Sequence, residues 1–276
     1  MNLIVLGAEI ETPTLKTLAK LTGASGIEQI HLEAFRILDA IPDDRVSVLC
    51  QQVKLDFAYV PTQRRLVDFG LFVTDMDSTL INIECIDEIA DMHGLKTEVA
   101  AVTEAAMRGE LDFKASLARR VSLLAGLEEA ALLRVYEERL QLNPGAERLI
   151  AGLKDAGLYT VLVSGGFTYF TQRLKDRLDF DEAWSNELEV ANGRLTGRII
   201  GDIVDANAKA SHLLRTRHAL DLNPEQVIAV GDGANDIPML EAAGFGVAYR
   251  AKPVLRAVAD CCLDQSPLDA ILSLFE

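Results

Sequence analysis

The sequence lacks any run of about 18 uncharged apolar residues, so no membrane-spanning helix is expected. Its opening, MNLIVLGAEIETP, has no basic leader and no small-residue cleavage site. It reads as a first strand rather than a signal peptide. Cysteine is scarce. Cys50, Cys85, Cys261 and Cys262 show no CxxC spacing, and adjacent cysteines pair poorly. Reduced thiols in a cytoplasmic protein are expected, rather than a disulfide framework or a zinc site. His31, His93, His212 and His218 form no metal-ligand spacing and read as surface or structural residues. There is no internal repeat and no low-complexity stretch. Positive charge is also short: 27 Lys and Arg face 42 Asp and Glu, for a net charge of −15. Residues 1–66 hold eight acids and seven bases, net −1, which leaves −14 on the remainder. Such a surface repels nucleic acid and anionic membranes, so neither is expected as a partner. It would also repel a phosphorylated ligand, so any phosphate site here needs local cations.

What is present is a large apolar content. With 276 residues and 49% hydrophobic composition, the chain can fill one large domain or two modest ones. Residues 1–66 look like a small α/β unit. NLIVLG reads as a strand, and TPTLKTLAKLTG as a helix closed by Gly23. IEQIHLEAFRIL reads as a strand, DDRVSVLCQQVK as an aspartate-capped helix, and DFAYVP as a further strand. TQRRLVDFG is expected as a polar hinge into residues 67–276. There the pattern changes. LFVT (71–74), YTVLVS (159–164) and QVIAVGD (226–232) are buried strands alternating with helical stretches. This predicts an α/β fold, a parallel sheet flanked by helices on both faces. Ligands of such sheets sit beyond the carboxyl ends of the strands. Between about 83 and 143, four stretches with glycine stops predict a small helical cap inserted after the first of these strands.

Three of four polar clusters follow those strands, and the remaining one, Lys209, stands on a helical stretch. LFVT ends at Asp75 and Asp77. A carboxylate can attack phosphorus, and a second acid two residues on can protonate the leaving alkoxide. A dianionic phosphate approaching a carboxylate calls for a divalent cation such as Mg²⁺. Ser164-Gly165-Gly166 can offer a hydroxyl and backbone N–H groups to phosphate. Lys209 could offset repulsion between Asp75 and the substrate. In GDGANDIPM, Asp232 can bind Mg²⁺, Asp236 can hold a metal-bound water and Asn235 can reach phosphate. Two glycines permit the tight turn. The first three clusters also read, singly, as a polar strand cap, an ordinary glycine turn and a solvated lysine. The fourth is the strongest alone, because metal-type ligands sit on a strand–turn–helix without a packing reason.

In this order and on these elements, the clusters resemble the haloacid dehalogenase superfamily of aspartate-nucleophile phosphatases. DMDSTLINIECIDEIA, AMRGELDF, SLARRVSLL, VSGGFT, NELEV, DIVDANAKA and GDGANDIPM resemble its phosphoserine phosphatase family, across essentially all of residues 70–270. The resemblance implies a Rossmann-like fold with a helical cap. It also implies Mg²⁺-dependent hydrolysis of O-phospho-L-serine through an aspartyl-phosphate, the last step of L-serine biosynthesis. Asp75 would be nucleophile and metal ligand. Asp77 would be general acid/base, with its carbonyl on the metal, and Asp232 a further metal ligand. Ser164, Gly165, Lys209 and Asn235 would bind phosphate, with Asp236 assisting. From the cap, Glu84 would receive the substrate ammonium and Arg120 its carboxylate, with Arg119 as a rival. Met107, Phe113 and Gly166 match positions that close over the substrate.

Residues 1–66 loosely resemble the ACT-like α+β units attached to bacterial phosphoserine phosphatases. Such units bind amino acids or form dimers, so a homodimer through this unit is an expectation. Two rival readings of the whole chain remain. One is a phosphotransferase passing the phosphoryl group to homoserine or a similar amino-alcohol. The other is a silent amino-acid-binding regulator, which has no need for Asp75, Asp77, Lys209 and Asp232 together.

Overall fold

The computed structural model describes residues 1–275, apart from the side chain of Met107. It opens with β1 (Asn2–Leu6), α1 (Thr12–Leu21), β2 (Gly26–His31), β3 (Ala34–Leu38), α2 (Arg45–Gln52) and β4 (Asp56–Val60). β1 is buried along its whole length because β3 and β4 flank it, both antiparallel. Gly23 ends α1 at φ +62°, a conformation that costs a side-chain-bearing residue and not glycine. IEQIHLEAFRIL, expected as one strand, is a hairpin of β2 and β3. Its turn leaves Leu32 83% exposed. Folding back lets the segment satisfy its own backbone N–H and C=O groups along one shared edge.

Next come β5 (Leu71–Thr74) and four cap helices: α3 (Cys85–Met92), α4 (Lys96–Met107), α5 (Phe113–Leu123) and α6 (Ala130–Glu138). Asp112 caps α5, its carboxylate accepting the Ala115 N–H at 2.7 Å. The chain then returns through α7 (Ala146–Asp155), β6 (Tyr159–Phe167) and α8 (Thr168–Leu178). A hairpin of β7 (Glu182–Ala191) and β8 (Arg194–Ile200) follows, absent from the sequence reading, and α5 packs on β8. Last are α9 (Ala206–Ala219), β9 (Val227–Gly231), α10 (Ile237–Glu241), β10 (Phe245–Tyr249), α11 (Pro253–Arg256) and β11 (Cys261–Leu263).

The three expected central strands are β5, β6 and β9, with β5 pairing in parallel to the other two. Successive side chains on a strand point to opposite faces. Leu71 and Val73 therefore pack in one layer with Val161, Val163, Val227 and Ala229. Phe72 packs in the other with Leu162, Ile228 and Val230. Being apolar on both faces, β5 is fixed inside the sheet between β9 and β6, and its polar end has one direction in which to emerge.

One sheet of 11 strands runs through the molecule in the order β2-β3-β1-β4-β11-β10-β9-β5-β6-β7-β8. β4 pairs antiparallel with β11, setting Ala58 opposite Cys261 and Phe57 opposite Cys262. Beside that seam, the buried Asp56 carboxylate accepts the N–H groups of Asp264, Gln265 and Ser266 at 3.0, 2.9 and 2.7 Å. The segment expected as a polar hinge is tethered as well. Phe69 is buried under the Arg64 guanidinium at 4.2 Å, and its ring meets Phe275 at 4.6 Å. No helix among the described residues is long and apolar enough to cross a membrane.

Replacing Asp56 with Ala strands three N–H groups in the seam. We expect a loss of about 2–4 kcal/mol in a urea unfolding experiment. A change within about 0.5 kcal/mol would show that the seam does not depend on this carboxylate.

Candidate active site

Asp75 follows the last residue of β5 and is buried, with its Oδ1 accepting the Met76 N–H at 2.8 Å. The turn of Met76–Leu80 then bends sharply through Ser78 at φ +57°. Lys209, in the first turn of α9, places its ammonium 2.7 Å from Asp75 Oδ1 and 2.8 Å from Asp236 Oδ1. All three side chains are buried. The other Asp236 oxygen accepts the N–H groups of Asp232 and Gly233, both at 3.1 Å. The Asp236 carboxylate fills the space that a side chain at Gly231 would need, so the strand end tolerates glycine only.

Ligand oxygens of Asp75, Asp232 and Asp236 lie within 4.8 Å of one another. Burial pushes the Asp75 carboxyl well above its ordinary range, against the pull of Lys209. Burial, and then the Asp236 charge, push Asp232 up to about 6. Burial also works against the Lys209 ammonium, but Asp236 and Asp75 outweigh it and raise its pKa. Three carboxylates against one ammonium leave uncompensated negative charge in a buried place. That is the donor set and charge that suit a hard divalent cation. Both Asp236 oxygens already have protein partners, so the free lone pairs belong mainly to Asp75 and Asp232.

Asp77 sits across the turn, its Oδ1 accepting the Cys85 N–H at 3.1 Å. Burial, followed by the Glu84 charge, lifts it to about 7. Glu84 stands at the N-cap position of α3 and accepts the Ser78 hydroxyl at 2.8 Å. On β6, the Ser164 oxygen accepts the Gly166 N–H at 2.8 Å, which leaves the hydroxyl proton free to donate. The glycines were expected in a turn after the strand. They lie instead inside β6, where the register with β7 slips between Val163 and Phe167. A Cβ at Gly166 would stand 2.6 Å from Asp77 Oδ2, and one at Gly165 would stand 3.2 Å from Phe113 Cζ.

Asp75, Asp77, Glu84, Phe113, Arg120, Ser164, Gly165, Gly166, Asp232 and Asn235 all line one cavity of about 610 Å³. Lys209 and Asp236 are buried behind the Asp75 wall. Of the two adjacent arginines, Arg120 lines the cavity while Arg119 is exposed. The side chain of Met107 lies outside the described residues.

A family model described as haloacid dehalogenase-like hydrolase matches residues 72–241. A second, a domain of unknown function (DUF4072), matches residues 3–48. A phosphoserine phosphatase of Albidiferax ferrireducens is 54% identical over 217 residues, covering 77% of this chain and 92% of its own. The crystal structure of a probable phosphoserine phosphatase from Vibrio cholerae aligns over 99% of this chain and 86% of its own, with TM-score 0.88 and 38% identity. A phosphoserine phosphatase solved as a phospho-aspartyl intermediate analogue covers 75% of this chain and 99% of its own, with TM-score 0.70 and 40% identity. The chain belongs to the phosphoserine phosphatases of the haloacid dehalogenase superfamily.

Asn186, Ser78, Lys252 and Asp87, which also lines the cavity, escaped the sequence reading of this phosphatase site. Asn186 is buried on β7. Its Nδ2 donates to the Gly165 carbonyl at 2.7 Å, and its Oδ1 accepts the Val204 N–H at 2.8 Å. It thereby ties the end of β6 at Gly165 to the segment entering α9. Ser78 holds Glu84, and Lys252 lines the cavity. Asn186 lies in NELEV, one of the matching stretches, but an asparagine in a strand carries no local sign of its partners.

Gly166→Ala puts a methyl against Asp77. We expect kcat to fall by at least about 100-fold, because displacements of an ångström at a reacting group carry costs of that order. The melting temperature should move by a few degrees only. Near wild-type turnover in a folded Gly166→Ala protein would contradict this packing.

Proposed function

We propose that the protein hydrolyses O-phospho-L-serine to L-serine and phosphate by a Mg²⁺-dependent, two-step route through an aspartyl-phosphate on Asp75. The observation that carries the reading is a division of the cavity into two ends of opposite need. One end holds Asp75, Asp77 and Asp232. At the other, Arg120 keeps a buried guanidinium Nε with no hydrogen-bond partner among the described residues, near Asp87 and Glu84. An arginine can grip a carboxylate with two parallel hydrogen bonds. Phosphoserine presents a phosphate, an ammonium and a carboxylate, and Glu84 and Arg120 suit the last two.

In the first step an Asp75 oxygen attacks phosphorus and the bond from phosphorus to the seryl oxygen breaks. Asp77 gives its proton to that oxygen as it leaves. In the second, Asp77 takes a proton from the water that attacks the aspartyl-phosphate, and phosphate departs. A carboxyl poised near 7 is suited to both directions of transfer. Ser164 and the Gly165 N–H hold phosphate oxygens, with Asn235 on the opposite strand end. Lys209 favours the ionised form of Asp75 against the push of burial, and aims its carboxylate. A divalent cation held by Asp75, Asp232 and the Asp77 carbonyl, with Asp236 bracing them, supplies the positive charge that lets a dianion approach a carboxylate. The cap, with Phe113 at its rim, excludes water until the seryl group has left. The relative solved as a phospho-aspartyl intermediate analogue supports this route. Release of free serine fits the closing step of L-serine biosynthesis. We assign residues 1–66 to an ACT-like unit and residues 67–276 to the phosphatase unit. The first of these serves dimerisation or amino-acid sensing.

Asp75→Asn should abolish release of phosphate while leaving the far-UV circular dichroism unchanged. Steady turnover by the folded variant would remove Asp75 as nucleophile. The metal has its own readout. Asp232 titrates near 6 when folded, against an ordinary 3.8, so the metal-free protein loses a stabilising contribution as pH rises through 6. A bound cation reverses that penalty and competes with the proton. The gain in melting temperature on adding Mg²⁺ to EDTA-treated protein should therefore grow from pH 5 to pH 7. A gain that is flat across this range would place the cation elsewhere.

A further inference from the structure

The cavity wall carries five carboxylates, Asp75, Asp77, Glu84, Asp87 and Asp232, and two cations, Arg120 and Lys252. Lys209 lies behind that wall, its ammonium held by two carboxylates at 2.7 and 2.8 Å. Its charge is already matched locally. Among the acids that act on Arg120, Asp87 and Glu84 come before Asp77, so its charge is matched first at the cap side. An incoming phosphate dianion thus meets a wall of acids at the Asp75 end, and among the described residues Lys252, beside Asp232, is the cation there with no salt bridge.

The position of Lys252 is fixed at its root. Its backbone N–H donates to the Asp232 carbonyl at 2.8 Å. Pro253 follows as the first residue of α11 and biases the preceding residue toward extended backbone, where Lys252 stands at φ −64° and ψ 150°. The side chain is exposed and lines the cavity. Among the described residues it forms no salt bridge, although its charge favours the ionised form of Asp232. A flexible, strongly hydrated ammonium on a rigid root is suited to meeting a mobile anion at a cavity mouth.

We propose that Lys252 draws the substrate phosphate into the Asp75 end of the cavity and binds it there, a specificity element for phosphorylated substrates in a chain of net charge −15. The proposal rests on the reading that phosphate is processed at Asp75. A charge aimed into a cleft acts mainly on capture, and salt screens it.

The test compares wild type, Lys252→Met and Lys252→Arg at saturating Mg²⁺. It reads kcat, KM and competitive inhibition by inorganic phosphate at low and moderate ionic strength. In Lys252→Met, kcat/KM for O-phospho-L-serine should fall about tenfold at low salt, with the larger share in KM. Inhibition by phosphate should weaken by a similar factor, and the dependence of kcat/KM on ionic strength should flatten. Lys252→Arg should recover most of the loss. Unchanged kcat/KM and phosphate inhibition in Lys252→Met would overturn the proposal. So would equal losses in both variants with a lowered melting temperature, which would make Lys252 a fold residue. If wild type releases no phosphate from phosphoserine, the reading of the site fails on its own. Calorimetric titration of wild type and Lys252→Met with inorganic phosphate then still decides the role of Lys252.

Discussion

Lys209 stands between Asp75 and Asp236 with all three groups out of water, and much of the catalytic end hangs from that contact. Removing one partner would leave an unpaired buried charge, a cost of about 3–5 kcal/mol. The contact therefore holds α9 against the tips of β5 and β9. Asp236 passes the constraint on by accepting the Asp232 and Gly233 N–H groups. Asp232 is thereby set beside Asp75, where their repulsion persists. The protein tolerates this repulsion because the hydrophobic layers on both faces of β5 leave its polar end no other exit.

The opposite side of the cavity is built differently. Glu84 and Arg120 come from the cap, which meets the sheet through a short turn, a packed face and hydrogen bonds of Gly126, Leu127 and Glu129 to the β7–β8 hairpin. Ser78 holds Glu84, and Lys114 of α5 reaches Asp205 at the start of α9 at 3.1 Å. That salt bridge is exposed on the lysine side, and such pairs contribute little to stability.

The N-terminal unit is bound to this frame by backbone as well as side chains. Continuing the sheet from β11 into β4 removes an exposed edge from each part, and edges invite aggregation. Asp56 then satisfies three N–H groups of the loop that leaves β11. Lys252 and Arg250 lie on the connection between β10 and β11, and the Arg250 N–H bonds to the Leu263 carbonyl. The N-terminal strands thus support, at some remove, the segment that carries Lys252 to the cavity.

The central strands, the cap helices and the acids at the strand ends were legible in the order of the residues alone. Each is written in a short local pattern. LFVT must be buried on both faces, and Asp75 and Asp77 follow immediately, so their place at a strand tip needs no knowledge of the rest. The glycine stops marked the cap helices for the same reason. Tertiary structure decided the rest, because it depends on what meets across long separations. Arg120 faces the cavity and Arg119 faces water only because of how α5 sits on its neighbours. The partners of Asn186 are 21 and 18 residues away, and those of Asp56 are more than 200 away. IEQIHLEAFRIL became a hairpin because its edges needed partners, a backbone demand that side-chain periodicity does not record. The union of β4 with β11 was invisible for the same reason, since any strand edge can pair with any other and only the folded molecule selects which.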